Sequence, residues 1–565
     1  MAHTCWSRDC GKALIKAVTS AILLLLAAAA LVLHSTNGPL PLAYFMLVSV
    51  ATAAVLIEVF FLHEFGRRES VVTLLQVSAI MVFSRVAEIF RFATIPGYDT
   101  YAHRVVVRTL LETGHVDLSL QVSSAAFPAV SILLTQCIQF AGTDERTAFA
   151  IGAMVGIVAI VLLFVVARLF IDARWAMVAA VVLSSAPFFK WWTEVEISPS
   201  TVGIVLAFAA LYALLKDAQG GSSRLRALGV VSVFGLVISH PILTLFVLAI
   251  LVCANVAQLL GLARHVRNQS VVGPVVLMTV VTLAYWMYLS QVWEISIQLF
   301  SSVLAAGTPH FPVRPVLGPS LADRIWGDLP WAIMLVAASY SAVAWVRHPV
   351  RTPLKTGWTM VCAGVTTLSF ASISVGGDLA VFGNRWLLLV EASTSLLFAN
   401  SIRALVSRKG RLWPVIAIGT ITVLIASSSI SPYVSLYQWG FHPILAFSDG
   451  QAIGMSFQTK CTQTIVADSY SATYLHFTYN RSTADLYGYS IGLPLNSTGV
   501  CILAQTESNI VYTKTIQGAT SLGVDSADFS PGITELPVGF QSRLASTWGL
   551  QKVYDDGDTG WYLEN

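Results

Sequence analysis

The chain has 565 residues, of which 56% are hydrophobic and only 11% charged, with 33 Lys and Arg against 30 Asp and Glu for a formal net charge of +3. With a mean hydropathy of +0.72, these values exclude a soluble globular protein and identify a polytopic α-helical membrane protein.

Apolar stretches long enough to cross a hydrocarbon core of about 30 Å recur along most of the chain and give about 13 predicted spans. In chain order they are residues 17–33, 40–62, 71–90, 147–167, 175–189, 197–215, 227–239, 241–262, 271–289, 329–346, 358–374, 386–400 and 412–430. Lys and Arg of short loops stay on the cytoplasmic side. A cytoplasmic N-terminus places Arg67, Arg68, Arg168, Arg174, Arg264, Arg347, Arg403 and Arg408 inside, while the loop after span three and the C-terminal tail face outward. The expected setting is a multi-pass protein of the cell membrane.

Counting the apolar segment 126–140 as a span would invert every later loop. It is therefore read as a helix at the outer interface, starting at Pro128. The outward loop 91–146 then carries two or more surface helices, and a loop of that length within a compact bundle is usually functional. From residue 431 the pattern changes to alternating polar and β-branched residues with Gly, Ser, Thr and Asp turns. Residues 431–565 are expected to form an extracytoplasmic soluble α/β or α+β domain. Strands are expected at 464–467 and 500–504, a helix at 469–479, and a hairpin at 552–563 turning at Asp556-Gly557-Asp558. Cys461 and Cys501 lie on the oxidising side and either pair or stay free. Asn480-Arg481-Ser482 and Asn496-Ser497-Thr498 are glycosylation sequons on the same side.

Outward loops are where the chemistry is expected to converge. Pro96-Gly97-Tyr98-Asp99-Thr100-Tyr101-Ala102-His103-Arg104 follows span three. If a helix begins near Thr100, Asp99 and His103 lie one turn apart on one face. An ionised Asp99 can take a proton from an acceptor hydroxyl or help hold a divalent cation; equally, it can cap the helix. The next outward loop, Phe188-Phe189-Lys190-Trp191-Trp192-Thr193-Glu194-Val195-Glu196, is either an interfacial aromatic belt with solvated acids or a substrate contact. In the second case Glu194 or Glu196 helps bind, with Asp99 and Glu196 the candidate metal ligands. His240, before Pro241 at the outward tip of a span pair, is either a hydrogen-bonded structural histidine or a phosphate contact. Arg385 opens span twelve, where its planar fork either snorkels to the interface or holds a phosphate. Arg85 and Glu88 suggest an ion pair, and Glu58 and Glu391 stand within spans without an evident partner.

The acid of Gly97-Tyr98-Asp99-Thr100-Tyr101-Ala102-His103 at the start of the first large outer loop, the Phe127-Pro128 interfacial segment and the span pair broken at His240 together resemble the GT-C superfamily of multi-span glycosyltransferases. The resemblance covers about residues 71–430, with residues 1–70 as two additional spans, and is most specific to archaeal and bacterial members whose loop reads Gly-Phe/Tyr-Asp-x-x-x-His. It implies an inverting enzyme with a polyprenyl-phosphate sugar donor, a glycan, lipid or protein acceptor outside the membrane, and either no cofactor or a divalent cation such as Mg or Mn. It further implies that Asp99 is the loop carboxylate and that an outer arginine such as Arg385 holds the lipid phosphate. The loop carries no Asp-x-Asp and the tail no Trp-Trp-Asp, which argues against peptide N-glycosylation.

Two other classes remain open from sequence alone, a non-catalytic scaffold of surface polysaccharide or glycoprotein assembly and a transporter. A transporter predicts internal repeats, and none is evident. No nucleotide-binding glycine loop, nucleophile elbow or thiolate metal site is present, and no nucleic-acid partner is expected.

Overall fold

A computed structural model describes residues 8–36, 41–62, 64–91, 98–116, 123–195, 197–218, 222–260, 272–288, 321–347, 353–375, 378–408 and 412–432, together with five strands of the tail. The helices are α1 (Arg8–Ser35), α2 (Leu42–Phe61), α3 (Arg67–Arg91), α4 (Tyr98–Thr113), α5 (Ser123–Ala126), α6 (Ala129–Ala141), α7 (Glu145–Ala167), α8 (Ala173–Ser185) and α9 (Pro187–Lys190). A π-helical turn (Trp191–Val195) follows, and then α10 (Pro199–Ala218), α11 (Ser223–Ser239), α12 (Pro241–Leu259), α13 (Val272–Tyr288), α14 (Leu321–Arg347), α15 (Pro353–Val375), α16 (Asp378–Val406) and α17 (Leu412–Pro432).

Twelve of the 13 predicted spans each fall on a single one of these helices. Seven described helices are long and apolar enough to cross a membrane, and α6, α8, α13 and the apolar parts of α14 and α17 are shorter. The expected span 175–189 is the clearest departure, since α8 stops at Ser185. Ala186 is extended (φ −66°, ψ 134°) because the Pro187 ring disfavours helical geometry in the residue before it. Proline at the first position of α9 then starts a new helix without losing a hydrogen bond.

α8 is buried on every side from Trp175 to Ser185, as expected for a helix apolar all round at the centre of a bundle. α7, α10, α12, α15 and α16 contribute to the same core, within which Phe246, Trp358 and Phe398 are fully buried. Leu24, Leu31, Leu75, Val231 and Val280 point outward, giving the apolar exterior a lipid environment requires.

Helix ends expected on one side of the membrane are the ends that meet. Arg91 Nη1 at the end of α3 donates to Leu33 O of α1 at 2.7 Å, and Arg146 at the start of α7 donates to Ile89 O of α3 at 2.7 and 3.1 Å. At the opposite ends, Arg174 donates to Leu62 O, and Arg403 Nε lies 3.6 Å from Asp172 Oδ2. Asp144 accepts from the Thr147 amide at 2.7 Å and caps α7. Two donors from Thr147 hold the Asp144 carboxyl below its usual range.

The tail strands β1 (Ile465–Ala467), β2 (Thr483–Asp485), β3 (Asn509–Thr513), β4 (Gln551–Asp555) and β5 (Thr559–Leu563) form one mixed sheet in the order β2-β1-β3-β5-β4. β1 is parallel to β2 and β3, and β5 is antiparallel to β3 and β4. β1 falls on the expected strand at 464–467, and β4 pairs antiparallel with β5 within the expected hairpin at 552–563, with an irregularity between Lys552 and Tyr554; the turn residues 556–558 lie outside the described residues. The expected strand at 500–504, the helix at 469–479, both sequons and both tail cysteines lie outside the described residues.

Candidate functional site

The loop singled out by sequence enters α4 at Tyr98, two residues earlier than expected. Asp99 and His103 are therefore both helical and four residues apart, which sets them on one face of α4. His103 is buried. α4 is tied to the start of α7 by Arg104, whose Nε and Nη2 donate to Glu145 Oε1 and Oε2 at 2.5 and 2.9 Å. A bidentate guanidinium–carboxylate pair fixes orientation as well as distance. Beside it α6 starts after Pro128, as expected, and buries Val130, Ser131, Leu134 and Thr135 while Phe140 remains exposed.

The second loop is built around Arg85, which is fully buried on α3. Its Nη1 lies 3.4 Å from Glu194 Oε2. Its Nε donates to Ala153 O at 2.9 Å and its Nη2 to Thr193 Oγ1 at 2.9 Å. Thr193 Oγ1 in turn donates to Phe189 O at 2.7 Å, and Ser84 Oγ donates to Glu194 Oε1. Gly156 of α7 makes room for this packing, because a Cβ there would stand 2.8 Å from Thr193 Cβ and 3.1 Å from Arg85 Nη2. Glu194 thus meets Arg85 across 109 residues of sequence, and the side chain of Glu88, the acid that the local pattern suggests, lies outside the described residues. The Glu194 carboxylate is committed to protein partners, whereas a solvated acid had been one expectation. Glu196 lies outside the described residues.

The same loop is held from behind by Glu391 of α16, a fully buried acid. Its two oxygens accept from the Phe188 and Phe189 amides at 3.0 and 2.6 Å, which satisfies free N–H groups at the start of α9. Lys190, Ser84, Ser184 and Thr52 share a small cavity with Val48, Val77, Ile80 and Met81. Sequence reasoning had not singled out Lys190, although a lysine beside two tryptophans at a membrane boundary was its available signal.

His240 sits at the α11–α12 tip with extended backbone (φ −159°, ψ 121°) and caps α12 with its side chain. Its Nδ1 accepts from the Leu243 amide at 3.3 Å, and its Nε2 lies 3.0 Å from Ser200 Oγ. Acceptance at Nδ1 assigns the proton to Nε2, so the ring donates to Ser200 and is not available to it as a base. Arg385 lies in the second turn of α16.

For a divalent cation, no group of three or more His, Cys, Asp or Glu side chains comes together among the described residues. Glu194, the described acid of the second loop, is occupied by Arg85 and Ser84 and does not fit as a ligand.

No family model and no curated protein matches the chain. Among solved structures it is similar to the archaeal oligosaccharyltransferase AglB from Archaeoglobus fulgidus, in complex with an inhibitory peptide and a dolichol-phosphate. Identity is 13% over 78% of this chain and 69% of that one, with a TM-score of 0.47. It is also similar to ArnT from Cupriavidus metallidurans bound to undecaprenyl phosphate, at 14% identity over 88% of this chain and 98% of that one and a TM-score of 0.43. The first of these structures holds a dolichol-phosphate and the second an undecaprenyl phosphate, both polyprenyl phosphates.

Proposed function

We propose that this protein is an inverting membrane glycosyltransferase that moves a sugar from a polyprenyl-phosphate carrier to an acceptor hydroxyl on the outer side of the membrane. The observation that carries the reading is the placement of Asp99 on the first turn of α4, one turn before the buried His103. This helix start is tied to the bundle through Arg104 and Glu145. A carboxylate at the first turn of a helix is favoured in its ionised form by the helix dipole, the form a general base needs.

In the proposed reaction Asp99 takes the proton of the acceptor hydroxyl as its oxygen attacks the anomeric carbon. The new carbon–oxygen bond forms opposite the breaking bond to phosphate, and the polyprenyl phosphate leaves with the electron pair. Arg385, on an early turn of α16, is the proposed partner of that phosphate, and Lys190, which lines a small cavity of mixed polar and apolar side chains, is proposed as a second cation. Glu194 and His240 act in this scheme as framework for the loops rather than as substrate contacts, since their polar atoms are engaged within the protein. Residues 1–70 are the proposed additional spans, 71–430 the catalytic unit and 431–565 an extracytoplasmic domain.

The test is transfer of radiolabelled sugar from a panel of polyprenyl-phosphate donors in membranes carrying the protein, compared with Asp99→Asn at matched abundance. Transfer by the wild type and a loss of at least about 100-fold in the variant is the expected result for removal of a general base. Equal activity in both overturns the role of Asp99. Absence of transfer with every donor shifts the reading to a scaffold.

A further inference from the structure

We propose that the end of the bundle where α7 turns into α8 binds the phosphate of an anionic phospholipid, held between Lys355 of α15 and Arg403 of α16. Arg403, in the last turn of α16, has its Nε 3.6 Å from Asp172 Oδ2. The same carboxylate favours the charge of Arg174, which donates to Leu62 O at the end of α2. Lys355, in the first turn of α15, lies close enough to Arg403 for the two charges to disfavour each other. Its Nζ stands 5.5 Å from the centre of the Trp345 ring, and that ring stacks on Phe170 of the α7–α8 turn at 6.1 Å.

Three cations thus gather around Asp172, whose carboxylate already caps α8 through the Trp175 amide. The segments that carry Lys355 and Arg403 bring no acid of their own, since residues 347–360 and 403–416 contain neither Asp nor Glu. Helix stability does not account for the surplus. The helix dipole favours a cation in the last turn, where Arg403 stands, and opposes one in the first turn, where Lys355 stands. Lys355 is half-buried, so its repulsion by Arg403 is screened less than that between two exposed side chains. An anion seated between the two removes that cost. A compact ammonium and a planar guanidinium fork are both donors that suit phosphate oxygens.

The depth of the cluster selects a lipid as the source of the phosphate. Trp345 ends the apolar stretch of α14 at 329–345, and Arg403 lies near the end of that of α16 at 386–406. Lys355 precedes the apolar residues 358–374 of α15. All three therefore stand at headgroup level of a bilayer crossed by these helices, where anionic lipids attract Lys and Arg and tryptophan is favoured. The Arg403 side chain is 45% exposed, which leaves it open to a headgroup.

The experiment titrates the full chain, in a neutral detergent, with phosphatidylglycerol or with phosphatidylcholine and reads bound lipid by native mass spectrometry. Phosphatidylglycerol should bind the wild type more tightly than phosphatidylcholine. Lys355→Gln should weaken its tightest binding roughly fivefold, the contribution of one basic residue near an anionic lipid, and Lys355→Arg should restore it. Glutamine keeps much of the aliphatic stem that packs on Trp345, so the variant should fold. The double change Arg67→Gln with Arg68→Gln, at the exposed start of α3, controls for general charge and should leave the tightest binding unchanged. Binding by Lys355→Gln equal to that of the wild type, or an equal loss in the α3 control, overturns the proposal. A second arm adds inorganic phosphate at constant ionic strength and follows the unfolding midpoint. A rise in the wild type but not in Lys355→Gln, without any preference for phosphatidylglycerol, assigns the site to soluble phosphate and overturns the lipid. None of these readouts involves sugar transfer, so this inference and the transferase reading fail separately.

Discussion

Arg85 of α3 and Glu194 of the π-helical turn meet at 3.4 Å with side chains 0% and 5% exposed. Removing one partner from such a pair leaves an uncompensated buried charge, which costs about 3–5 kcal/mol. Glu194→Gln and Arg85→Leu are each expected to lose stability of that order. Arg85→Leu combined with Glu194→Leu should lose less than the sum of the singles, because no charge is stranded. Unfolding in mixed micelles measures all three, and strict additivity would show that the pair is not coupled.

Gly156 tests the same packing from α7. Ala at this position brings Cβ to 2.8 Å from Thr193 Cβ, and overpacking of this kind costs about 1–3 kcal/mol. Gly364 of α15 has nothing within 4 Å of a built Cβ. Gly364→Ala should therefore be neutral or gain up to about 1 kcal/mol from helix propensity. Thermal unfolding of the two variants side by side checks the contrast.

The helical segments were legible from composition and period because each span carries its own apolar signal. Pro241 and Pro128 marked their helix starts for a local reason, the fixed φ of proline. The same logic applied to Pro187 would have ended span five at Ala186. What was not legible was partnership across the bundle. Glu194 finds Arg85, Glu391 finds the Phe188 and Phe189 amides, and Gln76 finds Thr19. These contacts depend on which helix faces pack together, and no local spacing encodes that. Asp99 and His103 could be set on one face beforehand because only a helical period was needed.

His240 caps α12 through Nδ1 and reaches Ser200 through Nε2. His240→Ala removes both and is expected to cost about 1–2 kcal/mol, the usual value of a lost cap. Asn at this position restores an acceptor for the Leu243 amide and should recover part of the loss. Gly203 lies under the ring, since a Cβ there would stand 2.9 Å from His240 Cβ, so Gly203→Ala should displace the same tip. Unfolding midpoints of the three variants order these effects; His240→Ala at the wild-type midpoint would show that the cap contributes nothing.

Asp144 gives the chain a pH-dependent helix start. The Thr147 amide and hydroxyl lower its carboxyl below the usual value in the folded protein. A group whose folded pKa is depressed contributes stability that is present above its unfolded pKa and is lost as pH falls through the folded one. The first turn of α7 should therefore stay capped at neutral pH and fray as the solution is acidified below the ordinary carboxylate range. Amide hydrogen exchange at Thr147 reports this directly, once corrected for the intrinsic pH dependence of exchange. Protection should fall on acidification in the wild type, and Asp144→Asn should flatten that dependence because a neutral amide oxygen accepts the same bond at every pH. An acid-induced loss of protection of equal size in Asp144→Asn would assign the fraying to another group.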